Sequence, residues 1–80
     1  MDGEIKKPGP VAYSEGLTLM RAISLAGGLT KVASNRVVVT RKKNGKNVTV
    51  TLNLKKLQKH EGVDFTLLPG DIVKVKRSIF

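Results

Sequence analysis

The sequence has no cysteine and no tryptophan, and only one tyrosine, two phenylalanines and one histidine in 80 residues. Each shortage excludes something. Without cysteine there is neither a disulfide framework nor a thiolate metal site, so apolar burial must hold the fold, and the absence leaves the redox compartment open. The single histidine, His60, has no carboxylate at ligand spacing beyond Glu61, so it is expected to be solvated and no metal or other cofactor is expected. The carboxylates Asp2, Glu4, Glu15, Glu61, Asp64 and Asp71 are scattered and mostly in turns. No Ser-His-acid or Cys-His set can be assembled from them, so enzymatic activity is not expected. Long apolar runs are missing as well: none approaches the length of about 18 residues that spans a bilayer. The opening Met1-Asp-Gly-Glu4 lacks the charged and apolar regions of a signal peptide, so a soluble chain is expected.

Acidic residues are the other shortage. Against 15 Lys and Arg stand 6 Asp and Glu, a formal charge of +9. Such a surface attracts polyanions without specificity. The same imbalance arises when one basic module is cut from a larger protein whose other domains carry the acids.

What is present is enough for one domain. A chain of this length buries roughly 60% of the surface its unfolded form exposes, which supports a single small core. Leu17 to Gly28 is the only segment with a helical apolar period and a marked stop: Leu19, Ala22, Ile23 and Ala26 fall at i, i+3, i+4 and i+7. Thr18 is the expected N-cap and Gly27 the left-handed residue that ends the helix. Met20 and Leu25 widen the stripe, so a helix of about two and a half turns is expected to be largely covered. It follows that Gly27-Gly28 is a cap and not a phosphate cradle, which would have to precede a helix.

The remaining segments are read as strands and turns. Gly3 to Lys7 opens as a short strand, Lys7-Pro8-Gly9-Pro10 suits a type II turn, and Val11 to Tyr13 is expected to return antiparallel. Tyr13 is read as an amphipathic plug at the edge of the core. Leu29 to Asn35 is a polar crossover into the most informative pair. With Asn44-Gly45 as a type I′ turn, Lys43 faces Lys46, Arg41 faces Val48, Val39 faces Val50 and Val37 faces Leu52. Val48, Val50, Leu52 and Leu54 alternate with Asn47, Thr49, Thr51 and Asn53, which demands the same register. The apolar face of this hairpin is expected to receive the helix. Leu54 to His60 suits a single helical turn, Leu68-Pro69-Gly70-Asp71 a second Pro-Gly turn, and Ile72 to Lys76 a last strand with Val73 and Val75 on one face. Ile79 and Phe80 at the end suggest a piece excised from a longer polypeptide. The order strand, strand, helix, strand, strand, helical turn, strand describes an α+β domain with a helix on one face of a small mixed sheet. A β-grasp has this order, with its first and last strands parallel and adjacent in the middle of the sheet.

Four pieces, in order, resemble a known family. Gly3 to Tyr13, Leu17 to Thr30, Leu67-Leu-Pro-Gly-Asp-Ile-Val-Lys-Val75 and Arg77-Ser-Ile-Phe80 are similar to the soluble-ligand-binding β-grasp domain of bacterial outer-membrane polysaccharide export proteins. The resemblance implies a β-grasp fold and a setting at the periplasmic face of the outer membrane. It also implies a role in transport as one module of a subunit that assembles into a ring or channel. The partners so implied are other subunits or domains of the export assembly and the exported polysaccharide, with membrane association only through other parts of the full-length protein. The chain departs from the family pattern at Lys76, where members often have Pro.

The local feature above background is Arg41-Lys-Lys-Asn-Gly-Lys46, four positive charges in six residues at the hairpin tip. Arg41, Lys42, Lys43 and Lys46 are the candidate contacts for an acidic polysaccharide, a phospholipid head group or a neighbouring acidic surface. A charged tip also deters edge-to-edge aggregation. The alternative class is a basic nucleic-acid-binding module of a cytoplasmic protein, motivated by the charge and the Pro-Gly-Asp strand. Against it, none of Tyr13, Phe65 and Phe80 lies among the basic residues where a stacking platform needs it, so no specific nucleic acid is expected.

Overall fold

The computed structural model describes residues 1–59 and 64–78, so the expectations for His60, Ile79 and Phe80 lie outside the described residues. The elements are β1 (Asp2–Gly3), α1 (Leu19–Leu25), β2 (Ala33–Lys43), β3 (Lys46–Asn53), α2 (Leu54–Lys59) and β4 (Ile72–Arg77). They form an α+β domain on one mixed sheet in the order β1-β4-β2-β3.

The turn chemistry of Asn44-Gly45 fixes the central hairpin. Both residues have positive φ, 52° and 76°, as a type I′ turn requires. The register follows as expected: Lys43 opposite Lys46, Arg41 opposite Val48, Val39 opposite Val50 and Val37 opposite Leu52. Burial along β3 is graded. Leu52 and Val50 are half-buried but Val48 is 43% exposed, because β4 stops supporting β2 at the pair Thr40 and Ile72. Beyond that pair the hairpin is a two-stranded arm.

Helix α1 starts on Thr18, whose hydroxyl accepts from the Arg21 amide at 3.3 Å. It ends as the sequence indicates, with the Gly28 amide donating to Ile23 and the Gly27 amide to Ser24, the paired bonds of a Schellman stop. The four-residue face Leu19, Ala22, Ile23 and Ala26 is buried with Val37, Val39, Val73 and Val75 of the sheet, and Leu54 and Leu67 close the same core. Fully burying a Leu or Ile contributes about 1.5–3 kcal/mol, so this contact dominates the fold. One expectation needs correcting: α1 has seven residues, and Leu25 is 57% exposed. At about 100° per residue, Leu25 lies outside the arc of the four core positions, and the sheet covers that arc only.

The second correction concerns the opening segment. Val11 to Tyr13 forms no strand. Residues 4–7 pair instead with the chain just after α1: Ile5 bridges Leu29, and the Lys6 and Lys7 amides donate to Gly28 and Ala26 at 3.0 and 2.9 Å. Strand β1 does run parallel to and beside β4, the pairing a β-grasp requires. It lies at the sheet edge, however, since the expected return strand is missing. Gly3 makes that pairing possible: a Cβ there would sit 2.1 Å from the Val75 carbonyl oxygen, at φ +84°. Only glycine fits.

Candidate functional site

The tip of the hairpin carries the four cations singled out in the sequence, and the structure separates them into two groups. Along β2, Val37, Val39 and Arg41 share a face by the alternation of a strand, so Arg41 continues the core side. Its guanidinium turns onto Asp71, with Nη2 to Oδ2 at 2.7 Å and Nε to Oδ1 at 3.0 Å. A further Nη2 bond reaches the Thr66 carbonyl at 3.2 Å, and the ring of Phe65 lies 5.2 Å below the guanidinium carbon.

Asp71 is placed to receive this. It closes the Pro69-Gly70 turn, its amide donating to the Leu68 carbonyl at 3.1 Å while its Oδ2 accepts from the Leu68 amide at 2.9 Å. The Asp71 side chain is 3% exposed and that of Arg41 26%. The hydrogen bond from Arg41 holds the Asp71 carboxyl below its ordinary range, against the opposing effect of burial and with help from the Leu68 amide. The same hydrogen bond raises Arg41 above its ordinary value. The pair also reaches the helix, because residues 65–67 are bonded to the start of α1: the Leu19 amide donates to Phe65 and the Leu67 amide to Leu17, both at 2.8 Å. Arg41 thus locks the arm, the Pro-Gly turn and the helix entry together. It does not project with the other tip cations as expected from sequence spacing alone.

Lys42, Lys43 and Lys46 remain, all exposed. Lys43 and Lys46 sit directly opposite, a like-charge pair that disfavours itself by tenths of a kcal/mol in water and is relieved by an anion. Lys42 belongs to the other face of the sheet. That face has no helix on it and carries Arg36, Val38, Thr40 and Lys42 on β2, Asn47, Thr49, Thr51 and Asn53 on β3, and Ile72, Lys74 and Lys76 on β4, with Asp2 at the β1 edge. It is mostly hydroxyls, amides and cations around the half-buried Val38 and the exposed Ile72, without an aromatic ring among the described residues. Such a surface can hold an anionic chain by charge and hydrogen bonds, but it has no stacking platform for bases.

On the other side a cleft of about 280 Å³ lies among Met1, Val11, Tyr13, Leu17 and Leu67. Tyr13 is 43% exposed, at the edge of the core as its single polar group suggests. Among the described residues no group of three His, Cys, Asp or Glu lies together, and no helix is long and apolar enough to cross a membrane.

Sequence reasoning passed over two features. Arg41 shares strand parity with Val37 and Val39, which was the available signal that it needs an acidic partner on the core side. The cation Arg36 is far in sequence from the adjacent Lys76 and Arg77, and only the pairing of β2 with β4 brings it to the same groove.

Residues 1–75 match the family described as the SLBB domain. Neither the curated proteins nor the solved structures contain a match to the chain. The SLBB domain is associated with polysaccharide export proteins.

Proposed function

The chain belongs to the SLBB domain family, and we propose that it is a non-enzymatic module of a polysaccharide export protein. It works at the periplasmic face of the outer membrane, beside other domains or subunits of the export assembly that form a ring or channel. The observation that carries this reading is the family match over residues 1–75. The uncovered polar face and the three free tip lysines support it, since they give an acidic polymer a place to rest. Exposed charge pairs in water contribute about 0–1 kcal/mol each, so contact is weak and reversible, as transport requires. It fades with salt, as the screening length shortens from about 10 Å at 0.1 M to about 3 Å at 1 M.

The competing reading is a cytoplasmic nucleic-acid-binding module. Fractionating source cells that express the tagged, full-length gene product separates the two. Recovery with the outer membrane or periplasm is expected; recovery in the cytoplasm with nucleic acid would overturn the export role.

A further inference from the structure

The end of the sheet away from the hairpin tip holds a second concentration of charge. Between the pairs Ala33 with Arg77 and Val37 with Val75, β2 advances four residues while β4 advances two. The two extra residues bow β2 away from its neighbour. The bow is held in shape: the Ser34 hydroxyl donates to the Lys76 carbonyl at 3.0 Å and accepts from the Arg36 amide at 3.2 Å, and the Ser78 amide donates to the Val32 carbonyl at 2.7 Å. The result is a groove of about 440 Å³ lined by Ser34, Arg36, Asn53, Lys76, Arg77 and Ser78.

Among the described residues its lining carries three cations and no carboxylate. The one ion pair among the described residues is Arg41 with Asp71, so among them Arg36 and Lys76, which share the open face, and Arg77, on the opposite parity of β4, have no ion-pair partner. Around them are groups that bond sugar hydroxyls. Asn53 uses its side-chain oxygen on the Lys55 and Lys56 amides at the start of α2, at 3.0 and 3.3 Å. That fixes the side chain and leaves its NH₂ without an acceptor among the described residues. A guanidinium fork matches a carboxylate with two parallel hydrogen bonds. No aromatic ring among the described residues lines the groove, so a neutral sugar has no stacking partner among them.

We propose that this groove is a binding site for a carboxylate-bearing saccharide, Arg36 and Lys76 on the open face holding the carboxylate while Asn53, paired with Arg36 across the strands, bonds a neighbouring hydroxyl. Lys74 on the same face then leads an extended acidic chain from the groove toward Lys42 at the tip. The site rests on the export reading for its ligand class, and its residues are distinct from the tip lysines.

The test is an amide-shift titration of the 80-residue chain with a uronic-acid tetrasaccharide, a matched neutral tetrasaccharide, inorganic phosphate and single-stranded DNA. Saturable shifts at Ser34, Arg36, Asn53, Lys76 and Ser78 are expected with the uronate, with weaker binding of phosphate and DNA and none of the neutral sugar. Arg36→Gln and Lys76→Gln should each weaken uronate binding about fivefold. Arg21→Gln, which removes the same charge from the exposed side of α1, should change it less than twofold. Equal affinities for uronate, phosphate and DNA would overturn the site, as would shifts confined to residues 42–46 or a groove variant that binds no worse than Arg21→Gln. The two proposals fail separately: an envelope protein whose groove shows no shifts loses the groove alone, and a cytoplasmic one with groove shifts loses the export role alone.

Discussion

Replacing Arg41 with Met keeps most of the side-chain volume and removes the charge that faces Asp71. Removing one partner of a buried ion pair destabilises by roughly 3–5 kcal/mol, because the other charge is left desolvated. The Asp71 side chain is 3% exposed and that of Arg41 26%, with neither residue fully buried, which places the effect between that of a buried pair and an exposed one, about 2 kcal/mol. The contact with Phe65 adds about 0.5–1 kcal/mol. A domain of 80 residues is stable by about 4–12 kcal/mol, so Arg41→Met should remove a fifth or more of the total. Urea unfolding at pH 7, followed by circular dichroism, reads this directly: with a slope of about 1 kcal/mol per M the midpoint falls by about 2.5 M. Asp71→Asn should destabilise less, since the amide oxygen still accepts from Arg41. The double variant should be less destabilised than the sum of the two, by at least about 1 kcal/mol.

The pH dependence has a definite sign. The Asp71 carboxyl is held below its ordinary value of 3.8 in the folded state, so in acid the unfolded chain takes up the proton first and stability rises with pH there. The contribution is complete above the ordinary value and is lost as pH falls through the depressed one. Arg41 is raised, so its share persists until strongly alkaline pH. Arg41→Met should flatten the acid limb of the stability curve. A loss below about 0.5 kcal/mol, the range of ordinary surface changes, with an unchanged acid limb would show that Arg41 is solvated after all and belongs with the tip lysines.

Three further outcomes follow from the fold. Ile23→Asp places an unpaired charge where the native side chain is 5% exposed, and the cooperative thermal melt should disappear; a melt close to the parent's would make the helix peripheral. Gly3→Ala should detach β1 from β4, visible as hydrogen exchange at Glu4, whose amide donates to the Val75 carbonyl at 3.1 Å, while the β2–β3 amides stay protected; unchanged protection at Glu4 would refute the close approach. In sedimentation at tens of micromolar the isolated chain is expected near its monomer mass of 8.7 kDa, and a stable ring from this domain alone would contradict the view that assembly needs the other modules.

Most of the sheet was legible because two independent signals agreed. The Asn44-Gly45 turn and the Val48-Val50-Leu52-Leu54 alternation each demand the same register, and a slip of one residue would invert every side chain. The helix was legible in its caps and its four core positions, but not in its coverage: Leu25 is apolar, and sequence alone does not say how wide an arc the sheet will cover. Val11 to Tyr13 read as a strand because a Pro8-Gly9 turn would fold the chain back on its opening segment. Yet Ile5, Lys6 and Lys7 found their partners at Leu29, Gly28 and Ala26, where the chain leaves α1. The tip was legible as a cluster of charge and illegible as a set of contacts, since a linear spacing groups Arg41 with Lys42 while strand parity puts them on opposite faces. The groove of Arg36, Lys76 and Arg77 depends on an irregular pairing between strands some forty residues apart, for which the sequence carries no local signal.

The central claim is that this domain serves polysaccharide export, and export itself is the most direct reading of it. In the source cells, the gene is replaced by an allele lacking the codons for residues 1–80 in frame, and surface polymer is quantified against polymer retained inside the envelope. Loss of surface polysaccharide with intracellular accumulation, restored by supplying the intact gene, is the expected result. Undiminished surface polymer from cells that stably express the shortened protein would contradict the account.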